Sequence, residues 1–258
     1  MHLGIGDWAN IVTWALLLKL LIFGDLGFRN ARCLQALSTE VQKGTYDVTI
    51  HAGDIAYDMD MENGRVGDNF MNMIELIAAT VPYQVAMGNH EAAHNFSHYS
   101  HRFNMYDQTS GQRQNAFYSF NLGLLHVVVF SSEFYEFTQY GTHQITTQLN
   151  WLRADLEAAN RPESRKLRPW IITVSHRPLY CDEVRCLSSE RTLRSALEEL
   201  FFKNKVDIMF AGHVHKYQRS WPVYSNKVHN GSHADPYVNP TVPIQIITGA
   251  AGNHVIKW

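Results

Sequence analysis

The feature that most constrains this chain is a short apolar run followed at once by a polar, usually glycine-containing turn. Runs of four or five mostly apolar residues with β-branched members are typical of buried strands. The pattern predicts strands whose ends carry polar side chains. The runs and their turns are Leu20–Phe23 before Gly24-Asp25, Asp47–His51 before Gly53-Asp54, Tyr83–Met87 before Gly88-Asn89-His90, Ile171–Val174 before Ser175-His176, Asp207–Phe210 before Gly212-His213, and Ile244–Thr248 before Gly249.

Longer stretches with helical periodicity separate these runs. They are Asn30–Lys43, Gly67–Ala79, Thr146–Ala159 and Ser188–Asn204. Strands that alternate with helices predict an α/β fold with parallel strands, and ligands of such sheets bind beyond the carboxyl ends of the strands. Between Phe117 and Glu133 two apolar segments flank Leu122-Gly123, which predicts a hairpin in a second layer of sheet. We therefore expect a two-layered mixed β-sheet sandwich flanked by helices.

Composition excludes several classes of protein. Hydrophobic residues make up 45% and charged residues 18%, which is too apolar for a disordered chain. The net charge of −2 provides no basic field, so we expect no nucleic-acid partner. The most apolar segment, Ile11–Phe23, has 13 residues and includes Lys19. A bilayer span needs about 20 apolar residues, so we expect no transmembrane span, and the segment lacks the cleavage site of a signal peptide.

Five of the turns carry side chains of types that ligate metals. One such turn is usually structural: a lone Gly-Asp forms an ordinary turn, and a lone histidine beside a strand is usually hydrogen-bonded in the core. In four of the five, a glycine before the ligand lets the backbone turn sharply and leaves room for an ion or a phosphate. Together the five turns predict a metal site, with the candidate residues Asp25, Asp54, Tyr57, Asn89, His90, His176, His213 and His215.

In their order along the chain, these turns resemble the signature of the metallophosphoesterases, and more narrowly of the purple acid phosphatases. That signature is GDxG, GDxxY, GNH followed by D or E, VxxH and GHxH. Four of the motifs are complete here, whereas Thr173 stands where the fourth in order has valine. The resemblance runs from about Phe23 to His254. The stretches His176–Cys181 and Trp221–Tyr224 place it nearest to the iron/zinc purple acid phosphatase-like proteins of animals.

The resemblance implies a dinuclear metal centre with Asp54 as the bridging ligand. The cofactors it implies are Fe³⁺, bound by a tyrosinate, and a divalent ion: Zn²⁺, Fe²⁺ or Mn²⁺. The donor types agree, because carboxylates and a phenolate suit a hard trivalent ion, whereas imidazoles and an amide suit the divalent ions. One ion would be held by Asp25, Asp54, Tyr57 and His215, and the other by Asp54, Asn89, His176 and His213.

The activity implied is that of an acid phosphatase, in which hydroxide held by the ions attacks a phosphate monoester. Ions of charge +3 and +2 outweigh three anionic ligand side chains, so the site attracts a dianionic phosphate. Asn89 and His90 would contact the substrate, and His90 would also act as a catalytic residue that helps the leaving group depart.

The chain departs from the fullest family pattern after the VxxH motif. Many members have a further histidine there, but no histidine lies between His176 and His213. Tyr180, Asp182 or Glu183 are the candidates for that place. Protonation of the leaving group is therefore the least defined step of the expected mechanism.

Two alternative functions stay open. A protein phosphatase or phosphodiesterase of the same superfamily is one, although the protein phosphatases usually show GDxVDRG where this chain has Tyr57-Asp58-Met59. The other is a shortened, non-catalytic product that keeps the fold, because long-form relatives carry a β-sandwich domain before the first motif and further strands after the last. We accordingly interpret residues 1–18 as a segment of unknown role and 19–258 as a catalytic domain shortened at its C-terminus.

Cysteines and glycosylation sequons favour the secretory route. Cys181 and Cys186 can close a small disulfide loop, with Cys33 left as a buried thiol. Asn95 and Asn230 each begin an N-x-S sequon. We therefore expect a secreted or lysosomal glycoprotein. The sequence does not predict an oligomeric state.

Overall fold

The computed structural model describes residues 18–105, 115–183, 187–229 and 235–252. Its strands are β1 (Leu20–Phe23), β2 (Val48–Ala52), β3 (Tyr83–Ala86), β4 (Tyr118–Leu122), β5 (Leu125–Val129), β6 (Trp170–Ser175), β7 (Ile208–Ala211), β8 (Tyr217–Arg219), β9 (Val223–Tyr224), β10 (Lys227–Val228) and β11 (Ile244–Thr248). Its α-helices are α1 (Leu34–Gln42), α2 (Arg65–Ala78), α3 (Ala93–Arg102), α4 (His143–Ala159), α5 (Pro162–Leu167), α6 (Leu187–Leu193) and α7 (Glu199–Lys203).

The strands form two main sheets. The first is the parallel sheet β1-β2-β3, and the second has the order β4-β5-β6-β7-β11-β8. Strands β5, β6, β7 and β11 of the second sheet are parallel, whereas β4 and β8 at its edges are antiparallel to their neighbours. Strands β9 and β10 form a separate antiparallel pair.

One hydrophobic cluster lies between the two sheets. It includes Val48 and Ile50 of β2, Val127 and Val129 of β5, and Val174 of β6. A larger cluster joins the sheets to the helices packed outside them, including the buried face of α2. The predicted architecture, a two-layered mixed sandwich flanked by helices, is therefore confirmed.

The predicted elements agree with the structure except at particular ends. Each of the six predicted strands lies within one residue of an observed strand, and the predicted hairpin is β4-β5. The helix predicted from Asn30 is wrong at its start, because α1 begins at Leu34. The backbone N–H of Cys33 donates to the carbonyl of Ala251 at 2.9 Å, which holds this segment against the chain beyond β11. A π-helical turn, Arg194–Glu198, joins α6 to α7 within the predicted last helix.

Carboxyl ends of strands from both sheets meet at one edge of the sandwich. The N–H of Gly24, after β1, donates to the carbonyl of Thr248 in β11 at 2.9 Å. The N–H of Gly212, after β7, donates to the carbonyl of His176, after β6, at 2.9 Å. Turns that lie far apart in the sequence are thereby brought within reach of one another.

Several sequence predictions fall partly outside the described residues. Cys181 is disulfide-bonded and Cys33 is a free, half-buried thiol, whereas Cys186 lies outside the described residues. Asn95 is exposed, but Asn230 is not among the described residues, and neither are residues 1–17. No helix in the described part of the chain is long and apolar enough to cross a membrane.

Candidate metal centre

Four of the predicted ligand residues have left-handed backbone conformations. Their φ angles are +62° at Asp25, +51° at Asp54, +56° at Tyr57 and +68° at His213. This conformation costs residues with a Cβ atom roughly 1–2 kcal/mol each, so the surrounding structure must hold it. Non-glycine residues in such conformations cluster at functional sites.

Two glycines allow the turns to approach one another closely. Gly53 has a φ of +79°, and a Cβ atom there would lie 2.5 Å from Nδ1 of His176. A Cβ atom on Gly88 would lie 2.4 Å from both the backbone nitrogen and Oδ1 of Asp54. Both distances are far below van der Waals contact, so only glycine fits at these positions without displacing a predicted ligand.

The first donor group combines Asp25, Tyr57 and His215. The Tyr57 hydroxyl lies 3.1 Å from Oδ1 of Asp25 and 2.8 Å from Nε2 of His215. Nε2 of His215 lies 3.3 Å from the same Asp25 oxygen. The other oxygen of Asp25, Oδ2, accepts the backbone N–H of His213 at 2.9 Å, which fixes the orientation of the carboxylate.

The second donor group surrounds Nε2 of His176. Oδ1 of Asp54 lies 3.2 Å from this nitrogen, Oδ1 of Asn89 lies 3.1 Å from it, and Nδ1 of His213 lies 3.2 Å from it. Ligand atoms of a tetrahedral ion with bonds of 2.0–2.1 Å are separated by roughly 3.3 Å. The spacing therefore suits an ion placed among the four atoms.

Neighbouring groups orient these ligands. Nδ1 of His176 donates to the carbonyl oxygen of Ala52 at 2.9 Å, so Nε2 is the ring nitrogen that faces the other donors. The buried carboxylate of Glu91 accepts the backbone N–H groups of Asp54 at 3.0 Å, Ile55 at 2.9 Å and Gly88 at 2.8 Å. Glu91 thus joins the turns after β2 and β3.

Burial and neighbouring charges together shift the pKa values of the ionisable groups of the site. Burial raises the pKa of Asp25. Burial would also raise the pKa of Asp54, but the charge of His176 holds it below its usual range. Burial favours the neutral form of His176, but Asp54 raises the pKa of this imidazole to about 10. Burial, followed by the charge of His176, lowers the pKa of His213 to about 2.

His90 lies beside the donor groups without belonging to either. Its backbone N–H donates to Oδ1 of Asp54 at 3.1 Å, and its ring centroid lies 4.3 Å from that of Tyr57. Nδ1 of His90 is 2.9 Å from Oδ1 of Asp58. Its side chain is 34% exposed, so a substrate can reach it.

Sequence reasoning missed Asp58, Glu91, Glu133 and Arg177. Asp58 follows Tyr57 and Glu91 follows His90, so their position next to predicted site residues could have identified them. Arg177 follows His176, but nothing local identified its partner Glu133, which is 44 residues away. The Arg177 guanidinium lies 3.2 Å from Nε2 of His213.

Three residues were candidates for the place of the further histidine that many family members have after the VxxH motif. In the structure, their side chains contact Lys216 or Arg194. The carboxylate of Asp182 pairs with the ammonium of Lys216, and that of Glu183 lies 3.7 Å from it. The Tyr180 ring contacts the guanidinium of Arg194, 5.2 Å from its centroid. Arg177, directly after His176, instead lies against the predicted ligand His213.

The donor groups fit two ions that share one carboxylate. Donor atoms of Asp25, Asp54 and His215 lie within 4.8 Å of one another, and so do those of Asp54, His176 and His213. Asp54 belongs to both sets. The first set includes two carboxylates beside a phenol, and the second includes two imidazoles beside an amide, so the two positions differ in chemical character.

Comparison with known proteins identifies the family. The sequence profile named calcineurin-like phosphoesterase matches residues 18–217, which is more than half of the chain. The chain belongs to this family. The region matched contains every predicted ligand of the chain, from the turn after β1 to the turn after β7.

Individual relatives of the chain are named acid phosphatases. The chain is 49% identical over 245 residues to acid phosphatase type 7 of Danio rerio, covering 90% of this chain and 54% of the relative. It is 44% identical over 244 residues to acid phosphatase type 7 of Homo sapiens, covering 91% and 54%. The chain therefore spans about half the length of these curated relatives.

A solved structure is similar in fold. The purple acid phosphatase PPD1 from yellow lupin seeds superimposes with a TM-score of 0.74 at 25% sequence identity. The alignment covers 91% of this chain and 44% of the lupin protein. The resemblance to purple acid phosphatases seen in the motifs thus extends to the three-dimensional structure.

Proposed function

We propose that this chain is a metal-dependent acid phosphatase that hydrolyses phosphate monoesters at a dinuclear centre of Fe³⁺ and a divalent ion. The observation that carries the proposal is the pair of donor groups that share Asp54 at one edge of the sandwich. The similarity to acid phosphatases type 7 supports the same class of activity.

The donor types support a different ion for each group. Asp25, Tyr57 and His215 with Asp54 would hold Fe³⁺, because carboxylates and a phenolate suit a hard trivalent ion. Asn89, His176 and His213 with Asp54 would hold Zn²⁺, Fe²⁺ or Mn²⁺. When bound, such a pair of ions lowers the pKa of a coordinated water and neutralises charge on the phosphoryl group.

The side chains around the ions would bind and orient the ester. Oδ1 of Asn89 faces His176, which leaves the amide N–H groups of Asn89 to donate to a phosphate oxygen. His90 is exposed beside the donor groups, where its Nε2 can donate a proton to the leaving oxygen. Asp58 accepts the hydrogen bond of the other ring nitrogen and fixes the orientation of the imidazole.

The test combines metal analysis with a pH-rate profile for p-nitrophenyl phosphate. We expect two metal ions per chain, iron among them, and a rate that is highest in acid. Asp54→Ala should lose both metal and activity. Two bound ions without turnover would favour the non-catalytic alternative, and faster hydrolysis of the bis(p-nitrophenyl) diester would favour a phosphodiesterase.

We also propose that the protein enters the secretory route, as a secreted or lysosomal glycoprotein. Disulfide bonds such as that of Cys181 are typical of oxidising compartments. The side chain of Asn95 is exposed, so its sequon can be glycosylated. Expression in animal cells should give a protein whose mobility changes on N-glycosidase treatment. Asn95→Gln should reduce that change, and a protein that the enzyme does not shift would contradict the proposal.

A further inference from the structure

Arg177 is a nearly buried cation at the edge of the second donor group. Its Nε lies 3.0 Å from each carboxylate oxygen of Glu133, and its Nη1 lies 3.2 Å from Nε2 of His213. The side chain of Arg177 is 12% exposed, whereas that of Glu133 is fully buried. The guanidinium therefore extends from a buried carboxylate toward a predicted metal ligand.

The surrounding loops hold this ion pair in a fixed orientation. Oγ of Ser132 accepts the backbone N–H of Arg177 at 2.9 Å and donates to Oε1 of Glu133 at 2.9 Å. The backbone N–H of Glu133 donates to Oγ of Ser131 at 3.2 Å. The loop after β5 thus fixes Arg177, the second residue after β6. Because a buried ion pair contributes little net stability, such precise support indicates a role in the site.

The contact between Arg177 and His213 is incompatible with a metal ion on His213. Nδ1 of His213 faces His176, so it is the atom that would bind the divalent ion. A neutral imidazole ligated through Nδ1 carries its single proton on Nε2. Arginine has only donors, so Nη1 of Arg177 could then no longer donate to Nε2, and it would need another acceptor.

We infer that Arg177 is a substrate-binding residue whose Nη groups donate to a phosphate oxygen of the monoester at the second donor group. The inference rests on the proposed phosphatase function and adds a residue to it. A guanidinium held at Nε presents its remaining donors in a fixed plane, which suits the oxygens of a phosphate. Arg177 thereby supplies a cationic contact to a site whose chain has no further histidine between His176 and His213.

The test measures binding of inorganic phosphate to the full chain carrying its metal ions, by isothermal titration calorimetry. Arg177→Gln should weaken phosphate binding about tenfold or more with metal content unchanged, and Arg177→Lys should recover only part of the loss. Glu133→Gln combined with Arg177→Gln removes the buried charge as well, so a folded protein without the guanidinium is available if Arg177→Gln alone does not fold.

Arg165→Gln is the matched control. Arg165 is also mostly buried and pairs with Asp207 at 3.0 Å, but Asp207 precedes β7, whereas the candidate metal centre lies after it. This variant should bind phosphate as the unmodified protein does.

Two outcomes overturn the inference. The first is a folded, metal-loaded Arg177 variant whose phosphate dissociation constant lies within twofold of the unmodified value. The second is loss of metal from the Arg177 variants, which would assign the residue to support of His213 instead. Failure of the proposed function looks different: the unmodified protein would bind phosphate through Arg177 without hydrolysing p-nitrophenyl phosphate.

Discussion

At the scale of the residue, the candidate metal centre depends on backbone conformations that most side chains avoid. Asp25, Asp54 and His213 are left-handed, and Gly53 lies against His176. These positions lower the intrinsic stability of the chain, and donor atoms from distant segments meet because of them. Substitutions at the glycines can separate the cost of the conformation from that of the close approach.

Gly53→Ala should destabilise the protein more than Gly44→Ala does. Both glycines are left-handed, with φ of +79° and +64°, but a Cβ on Gly44 would have nothing within 4 Å. Gly44→Ala should therefore cost only the conformational penalty, roughly 1–2 kcal/mol. Gly53→Ala adds the overlap with His176, which we expect to cost about 1–3 kcal/mol more in the free energy of unfolding from urea denaturation. Equal losses for the two variants would contradict this account.

We expect the iron-loaded protein to show a visible absorption band, and Tyr57→Phe should abolish it. Such a band arises from charge transfer between a phenolate and Fe³⁺, and Tyr57 is the phenol in the first donor group. The measurement is an absorption spectrum at equal iron content. Tyr140→Phe, a half-buried tyrosine that packs against Phe96, serves as the control and should keep the colour. A coloured Tyr57→Phe protein would remove this residue from the ligand set.

At the scale of the element, the site is assembled by connections between the ends of strands. Glu91, in the turn after β3, accepts three backbone N–H groups, two of which belong to the turn after β2. The carboxylate supplies acceptors for backbone N–H groups that would otherwise be buried without a hydrogen-bond partner. The position of Asp54 therefore depends on a residue of a neighbouring strand end.

Glu91→Gln should weaken both the fold and metal binding. The amide nitrogen of glutamine is a donor, so at least one of the three backbone N–H groups would face another donor and lose its acceptor. We expect a loss of about 1–3 kcal/mol in unfolding free energy and a 10–100-fold loss in metal affinity. Glu75→Gln, on the exposed face of α2, is the control and should change neither. Unchanged metal affinity in Glu91→Gln would show that the turn holds its shape without the carboxylate.

The sequence predicted the elements well where local signals decide them. Short apolar runs followed by polar turns identified the six parallel strands, and Leu122-Gly123 identified the β4-β5 hairpin. The start of α1 was wrong because a hydrogen bond to Ala251, more than 200 residues away, decides where Cys33 lies. The π-helical turn before α7 likewise has no counterpart in the helical periodicity of that segment.

At the scale of the whole molecule, buried β2 carries a histidine that opposes stability in acid. His51 is fully buried, and its Nδ1 lies 2.8 Å from the hydroxyl of Tyr83. Burial lowers the pKa of His51 to about 3, from an ordinary value near 6.5. Between these pH values the unfolded chain binds a proton that the folded chain does not, so stability falls as the pH falls from about 6.5 toward 3.

Removing His51 should make the unfolding free energy depend less on pH between 6.5 and 4.5. Each pH unit below 6.5 can cost up to about 1.4 kcal/mol through His51. His51→Leu combined with Tyr83→Phe leaves no unpaired hydroxyl, and its unfolding free energy should decline less than that of the unmodified protein between pH 6.5 and 4.5. Tyr83→Phe alone keeps the histidine and should keep the decline. Parallel pH curves for all three proteins, at equal metal content, would contradict the prediction.

Metal removal should destabilise the entire sandwich rather than one loop. The predicted ligands come from turns after β1, β2, β3, β6 and β7, which belong to both sheets. A ligand present at 1,000 times its dissociation constant stabilises a folded protein by about 4 kcal/mol. Chelation should therefore lower the midpoint of thermal unfolding by several degrees, as followed by circular dichroism. Asp54→Ala, which lacks the shared ligand, should respond less to chelator.

The order of the polar turns was enough to predict the strand ends, the fold class and the types of donor atom. Strand ends and donor types depend on residues adjacent in the chain, and the fold class depends on the order of the elements along it. The tertiary structure alone decided which donors meet around Asp54 and which groups support them. His90 meets Asp58 across 32 positions, and Arg177 meets Glu133 across 44. Such pairs carry no local periodicity, and only the order of strands in two facing sheets brings them together.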